Sequence, residues 1–170
     1  MYHAVGITPE APTLEAATGG RKIQTIRVGK KEIEDTKRFL NRTNISTDVD
    51  CIFVGCPHLD FEEIAILAKL LKGRKVKAGV RLWVFASNSI WNSCERSGLT
   101  QVLKEAGASL ISDTCPNITM FNEVIASQGF KSGATDASKL AHYLPSWGLN
   151  MHYGSTAEVI EAAVTGKWRI

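Results

Sequence analysis

The sequence predicts a three-layer α/β domain, a mainly parallel sheet with helices on both faces. Three observations carry that expectation. Short apolar runs alternate with segments whose apolar residues recur at helical spacing. One run, residues 51–54 (CIFV), is apolar without a break, the pattern of a strand buried on both faces. Helix-capping residues and helix-ending glycines punctuate the alternation. With 170 residues, 44% of them hydrophobic, the chain amounts to one domain and can bury a core without a disulfide or metal staple. In such a fold the functional groups belong at the carboxyl ends of the strands.

Residues 1–20 read as an N-terminal loop segment and 21–170 as the α/β domain. The opening stretch from Tyr2 to Thr13 gathers His3, Thr8, Glu10 and two prolines, a loop built to meet another part of a larger protein. Residues 23–28 form a short β-rich run ending at Gly29. Residues 30–42 are charged, with Ile33, Phe39 and Leu40 as apolar points of an exposed helix. A strand is expected over 50–55. Asp60 and Glu63 then make a capping box for a helix carrying Ile64, Leu67, Leu70 and Leu71, closed by Gly73. RLWVFA at 81–86 is a strand, followed by a helix over 88–97 that Gly98 breaks. Leu99, Val102, Leu103 and Ala106 mark one face of the next helix, closed by Gly107. A strand follows at 108–112, then 113–129 as loop with one helical turn. The strand expected over 130–135 is diluted by Ser132 and Gly133. Asp136 caps a helix through Tyr143, and Pro145 stops it. Residues 149–153 are the last strand, and Ser155 with Glu158 boxes the start of a final helix.

Several classes are excluded. Twenty basic against 17 acidic residues give a net charge of only +3, too slight a bias for a dedicated nucleic-acid binder. Lys69, Lys72, Arg74, Lys75, Lys77 and Arg81 cluster without an acidic neighbour, but no aromatic residue interleaves for base stacking, so they read as a solvated helix end. No apolar run approaches the ~18 residues of a membrane span. The first residues lack the regions of a signal peptide, and the expected location is the cytoplasm. Four cysteines in such a chain are thiols or metal ligands, not a disulfide scaffold.

Two cysteines stand out. Cys56 follows the strand CIFVG, Cys115 follows the strand ASLIS, and a proline follows each. They are either two inert thiols or two ligands of an iron–sulfur cluster that lacks the rest of its set. Cys51 and Cys94 read as core residues, and strand parity puts Cys51 and Cys56 on opposite faces. His58, near a helix N-terminus, suits an anion or a proton transfer, or is a plain loop histidine. A cysteine hydrolase built on Cys56 and His58 lacks a third, orienting residue. Ser138 and His142 share a helix face beside Lys139 and Tyr143, either a carboxylate or phosphate site or a merely wet surface. His152, inside a strand, reads as structural.

Six stretches, in order, resemble the aconitase X family: YHAVGITPEAPTLEAA at 2–17, CIFVGCPHLDFEEI at 51–64, RLWVFAS at 81–87, ISDTC at 111–115, SKLAHYLPS at 138–146 and VTGKW at 164–168. The resemblance implies an aconitase-like α/β domain that is the C-terminal portion of a larger catalytic unit. Partners implied are a missing N-terminal part and a small swivelling domain or subunit. The implied chemistry is hydro-lyase dehydration of a small hydroxy acid, of the cis-3-hydroxy-L-proline or phosphomevalonate kind. Cys56 and Cys115 match the cluster-binding motifs, with a third ligand outside this chain. Ser138, Lys139 and His142 match a substrate-side motif, and His58 and His142 are the candidate catalytic residues. Asp136 stands where members often carry Asn, and PNITMF at 116–121 departs from the family pattern. The isolated chain is expected to hold no intact cluster and to be inactive. The alternative is a non-catalytic α/β module that binds a small anion or a partner subunit.

Overall fold

A computed structural model describes residues 2–41, 46–117 and 121–169. The chain forms two compact units, one running to Ile33 and the other Glu34–Ile170. In the first, a tight turn is closed by Gly6 N–H on Ala11 O at 2.9 Å and by Ala4 N–H on the Thr8 hydroxyl at 2.9 Å. Helix α1 (Leu14–Thr18) starts where the Thr13 hydroxyl accepts from Ala16 N–H, and left-handed Gly19 ends it. The strand expected over 23–28 is absent, and Ile23, Ile26 and Val28 are exposed. β-propensity alone does not make a strand, because the backbone groups need a sheet neighbour. Helix α2 (Lys30–Leu40) follows, its first turn fixed by the Glu32 carboxylate on Gly29 N–H at 2.8 Å.

The second unit is the α/β domain. In chain order it contains β1 (Cys51–Leu59), α3 (Phe61–Leu71), β2 (Arg81–Ala86), α4 (Asn88–Arg96), α5 (Leu99–Ala106), β3 (Ala108–Ser112), α6 (Phe121–Gln128), β4 (Ser132–Thr135), α7 (Ser138–Tyr143), β5 (Asn150–Tyr153) and α8 (Thr156–Thr165). The five strands pair in parallel in the order β3-β2-β1-β4-β5. Alternate residues of the central strands feed two separate cores. Ile52, Val54, Leu82 and Val84 pack with α3, α4, α5 and α8. Cys51, Phe53, Trp83 and Phe85 pack with α6 and α7. Helices thus cover both faces, which is why residues 51–54 of β1 and 82–86 of β2 are apolar at consecutive and not at alternate positions. Each large side chain so buried stabilises the fold by roughly 1.5–3 kcal/mol.

Four local expectations are corrected. First, β1 reaches Leu59, because its pairing with β2 shifts register between Val54 and Leu59. That irregularity also defeats the parity argument, since Cys56 packs against the same core as Cys51. Second, the stretch expected to be a loop with one turn holds the eight-residue helix α6, whose Phe121 and Ile125 join the second core. Residues 118–120, inside that expected loop, lie outside the described residues. Third, Ala137, not Asp136, is the N-cap of α7, with no side-chain cap bond. The Asp136 carboxylate instead accepts the Thr156 hydroxyl at 2.8 Å, because α8 begins beside the end of β4. Fourth, β4 begins only at Ser132 and β5 at Asn150. Gly133 weakened the strand pattern for a steric reason. A Cβ there would lie 3.0 Å from the Met151 sulfur and 3.3 Å from the Cys51 carbonyl oxygen. The capping boxes of α3 and α8 form as expected.

Candidate functional site

In a 3-2-1-4-5 sheet the chain reverses its winding direction between β1 and β4, and a crevice opens beyond the carboxyl ends of those strands. A cavity of about 610 Å³ lies there. Gly55, Cys56 and Pro57 enter it from β1, Asp136 and Ala137 from the end of β4, and Ser155, Thr156 and Glu158 from the start of α8. Lys37 and Asn41 line it as well. The Asn41 side chain fastens its segment to β5, donating to Tyr153 O at 3.0 Å and accepting Tyr153 N–H at 2.9 Å. None of Lys37, Asn41 and Thr156 is picked out by sequence, because packing brings them together from two segments distant along the chain.

The backbone around Cys56 is unusual for a reason. Gly55 sits at φ 108, and a Cβ there would come within 2.3 Å of the Phe85 carbonyl oxygen. Only glycine lets β1 run this close to the end of β2. The following Cys56–Pro57 peptide is cis. On the other side, Asp113 adopts φ 56 and turns the chain out of β3. Its carboxylate accepts Asn88 N–H at 2.9 Å, and its own N–H reaches Ala86 O at 3.2 Å. His58 then joins the two loops, Nε2–H donating to Thr114 O at 2.6 Å. β2 separates β1 from β3, yet the loops meet over its end through His58 and Thr114, and the Cys115 thiol is near enough to act on Cys56. Both cysteines are half-buried, whereas Cys51 and Cys94 are fully buried in the two cores, as their residue type suggested.

The electrostatics follow from this placement. Burial pushes the Cys56 thiol up, and the neighbouring Cys115 thiol adds to that, while the Lys139 ammonium opposes it. Burial also raises the Asp136 carboxyl, against the hydrogen bond from Thr156. The Ser155 hydroxyl and backbone hold Glu158 below the usual carboxylate range.

The other expected site residues fall on or near α7. Ser138, Lys139 and His142 are exposed, and Leu140 and Ala141 bury the opposite face. Lys139 lies close enough for its charge to act on Cys56. The His142 ring stacks on Phe39 with centroids 6.2 Å apart and meets Tyr143 edge-on at 5.1 Å. None of the three lines the cavity. His58 has its Nε2 committed to a carbonyl, which leaves that atom no free lone pair for the Cys56 thiol. His152 is buried and stacked on Trp168 at 5.1 Å, and burial holds its pKa below the ordinary value. Among the described residues no group of three or more His, Cys, Asp or Glu is disposed to hold a metal ion. Among the described residues no helix is long and apolar enough to cross a membrane.

Comparison with known proteins agrees with this arrangement. The family model for the aconitase X third domain matches residues 49–165. The chain is 36% identical over 169 residues to cis-3-hydroxy-L-proline dehydratase of Pseudomonas aeruginosa, covering 98% of this chain and 29% of that protein. It is 37% identical over 147 residues to the phosphomevalonate dehydratase large subunit of Methanocaldococcus jannaschii, covering 86% of this chain and 34% of the relative. A crystal structure of Thermococcus kodakaraensis aconitase X in its holo-form superposes with a TM-score of 0.74 at 27% identity, covering 93% of this chain and 38% of that one. The chain therefore spans about a third of the length of such relatives. A family match over residues 49–165, a parallel five-stranded sheet of the same fold and relatives above 30% identity together place this chain in the aconitase X family, as its third domain.

Proposed function

We propose that this chain supplies one wall of the active site of an aconitase X hydro-lyase that dehydrates a small hydroxy acid of the cis-3-hydroxy-L-proline or phosphomevalonate kind. The observation that carries the reading is the convergence of Cys56 and Cys115 over the end of β2, beside the cavity at the switch point of the sheet. Two half-buried thiols side by side fit two ligands of an iron–sulfur cluster. The third ligand then comes from another part of the longer protein, since the described residues offer no third donor beside them. When bound, the cluster supplies a Lewis acid for the departing hydroxyl.

The chain's own residues do the rest of the work on this side. His58 holds the two cysteine loops at a fixed separation through Thr114. Lys139 brings a cation to the same edge, where it attracts a substrate carboxylate or phosphate. Ser138 and His142, on the exposed face of the same helix, complete the substrate side, with His142 the remaining candidate for proton transfer. Residues 1–20 meet the rest of the catalytic unit, a small swivelling domain closes over the site, and the reaction takes place in the cytoplasm. The domain alone, with two thiols and half a site, turns over no substrate.

The test uses the longer protein carrying this domain, purified without oxygen. Wild type should contain iron and sulfide and dehydrate one of the two substrate types. Cys56→Ser and Cys115→Ser should each lose most of the iron while keeping the fold by circular dichroism. Full iron content in either variant overturns the ligand assignment, and inactivity of wild type on hydroxy acids of both kinds overturns the hydro-lyase reading.

A further inference from the structure

One segment of the first unit has the composition of a strand and nothing to pair with. The chain runs from Arg21 to Gly29 without a turn or bend. Ile23, Thr25, Ile26 and Val28 are β-branched, which favours the extended form. Among the described residues no hydrogen bond joins the backbone of residues 22–28 to another segment. Side chains alternate along extended chain, so Lys22, Gln24, Ile26 and Val28 share one face and Ile23, Thr25 and Arg27 the other. The first face is the barer one: Ile26 is 80% and Val28 72% exposed, against 52% for Ile23. An extended run with an open apolar face and an unpaired row of N–H and C=O groups is a template for strand addition.

Its occupant follows from where the segment lies. The family model for the aconitase X third domain begins at residue 49, so residues 22–28 precede that domain. The match to the Pseudomonas aeruginosa relative covers 98% of this chain and 29% of that protein, so the relative carries the same segment beside a much larger remainder. Charge argues against a second copy of this chain as the partner. From Arg21 to Lys31 there are five basic residues and no acidic one. Two copies in parallel register would set Lys22 against Lys22 and Arg27 against Arg27, which is repulsive. We propose that residues 22–28 are a β-strand contributed to a sheet in the part of the longer protein that precedes the third domain, where their backbone pairs with an exposed edge bearing acidic side chains. The Ile26 and Val28 face packs on the apolar layer beneath that sheet. Thr25 and Arg27 lie on the outer face, with Arg27 opposite a carboxylate of the neighbouring strand. Main-chain hydrogen bonds thus fasten the third domain to its neighbour. The pairing needs neither iron nor a particular substrate, so it stands or falls apart from the hydro-lyase reading.

The experiment compares amide hydrogen exchange in the isolated 170-residue chain and in the longer protein, resolved to single residues over 22–28. In the isolated chain these amides should exchange at the rate of an unstructured peptide. In the longer protein the amides that enter the ladder should slow by a factor on the order of 100 or more. Ile26→Asp supplies a second readout. In the isolated chain Ile26 already faces water, so the melting temperature should not move. In the longer protein the same change buries a charge and should lower the melting temperature by several degrees. Free exchange over 22–28 in the longer protein overturns the proposal, and so does an Ile26→Asp variant that melts like wild type in both forms. Protection in the isolated chain that grows with concentration also overturns it, because the partner is then a second copy. If Ile26→Asp prevents the longer protein from folding, the wild-type exchange map decides alone. A longer protein that protects 22–28 but binds no iron sinks the cluster reading and leaves this one standing. An iron-loaded, active protein with free exchange there does the reverse.

Discussion

At the scale of single residues, one position at the site is set by sterics and another by a hydrogen bond. Gly55 combines a left-handed φ of 108 with a backbone oxygen 2.3 Å from where a Cβ would sit. Gly55→Ala therefore incurs both conformational strain and a clash with backbone that cannot swing aside. The expected loss is about 2–5 kcal/mol of unfolding free energy in a urea titration. A variant as stable as wild type would show that β1 can move off β2 at no cost. His58 acts differently. Its bond to Thr114 O is at the surface, so His58→Ala should cost about 0.5–1.5 kcal/mol at most. Its larger effect should be on the loops, with faster alkylation of Cys115 by iodoacetamide in the folded chain. An unchanged alkylation rate would mean that the loop after β3 is held by Asp113 alone.

At the scale of elements, α8 shows how a local sequence rule fixes a helix that borders the site. Ser155 and Glu158 satisfy each other's backbone N–H groups, at 3.4 Å and 2.7 Å, so Ser155→Ala should destabilise the chain by about 1 kcal/mol. The hydrogen bonds from Ser155 hold Glu158 below its ordinary pKa, so the stabilisation is complete above the ordinary carboxylate range. It is lost as the pH falls through the depressed value, and the gap between wild type and Ser155→Ala should close in melts taken there. A constant gap down to that pH would mean that the carboxylate contributes nothing. The same rule explains which elements were legible in the sequence. Helices with capping boxes or closing glycines, α3, α5 and α8, and the strand β2, apolar from Leu82 to Ala86, are legible within a residue or so. Helix α6 was not, because its apolar residues Phe121, Val124 and Ile125 follow a stretch without a recognisable start signal. The run over 23–28 has strand composition but no sheet neighbour, and sequence composition cannot supply one. At the site, Cys56 and Cys115 were legible because each comes just after an apolar run of the sequence and before a proline. Lys37, Asn41 and the Asp136–Thr156 bond were not, because tertiary packing alone brings them together.

At the scale of the whole molecule, the parallel sheet separates stability from chemistry. The two cores lie on its faces, and the thiols, the cavity and Lys139 lie at its carboxyl edge. A substitution at that edge can change chemistry without touching the cores. Lys139 tests this most cleanly. It is exposed on α7, whose packing against the sheet is made by Leu140, Ala141 and the following Leu144, so Lys139→Ala leaves the buried contacts intact. Its charge nevertheless acts on the Cys56 thiol, which places it within reach of an anion bound beside the two cysteine loops. A charge-assisted hydrogen bond of this kind is worth roughly 1.5–3 kcal/mol, or about 10- to 150-fold in binding. In the longer protein, Lys139→Ala should raise KM or lower kcat/KM by a factor of that order, with iron content and melting temperature unchanged. Lys139→Arg should restore part of the loss, because a guanidinium also pairs with a carboxylate or phosphate. Normal kinetics in Lys139→Ala would make Lys139 a solvated helix residue and remove α7 from the substrate side. A parallel fall in iron content would instead assign its charge to holding the cysteine loops in their thiolate form.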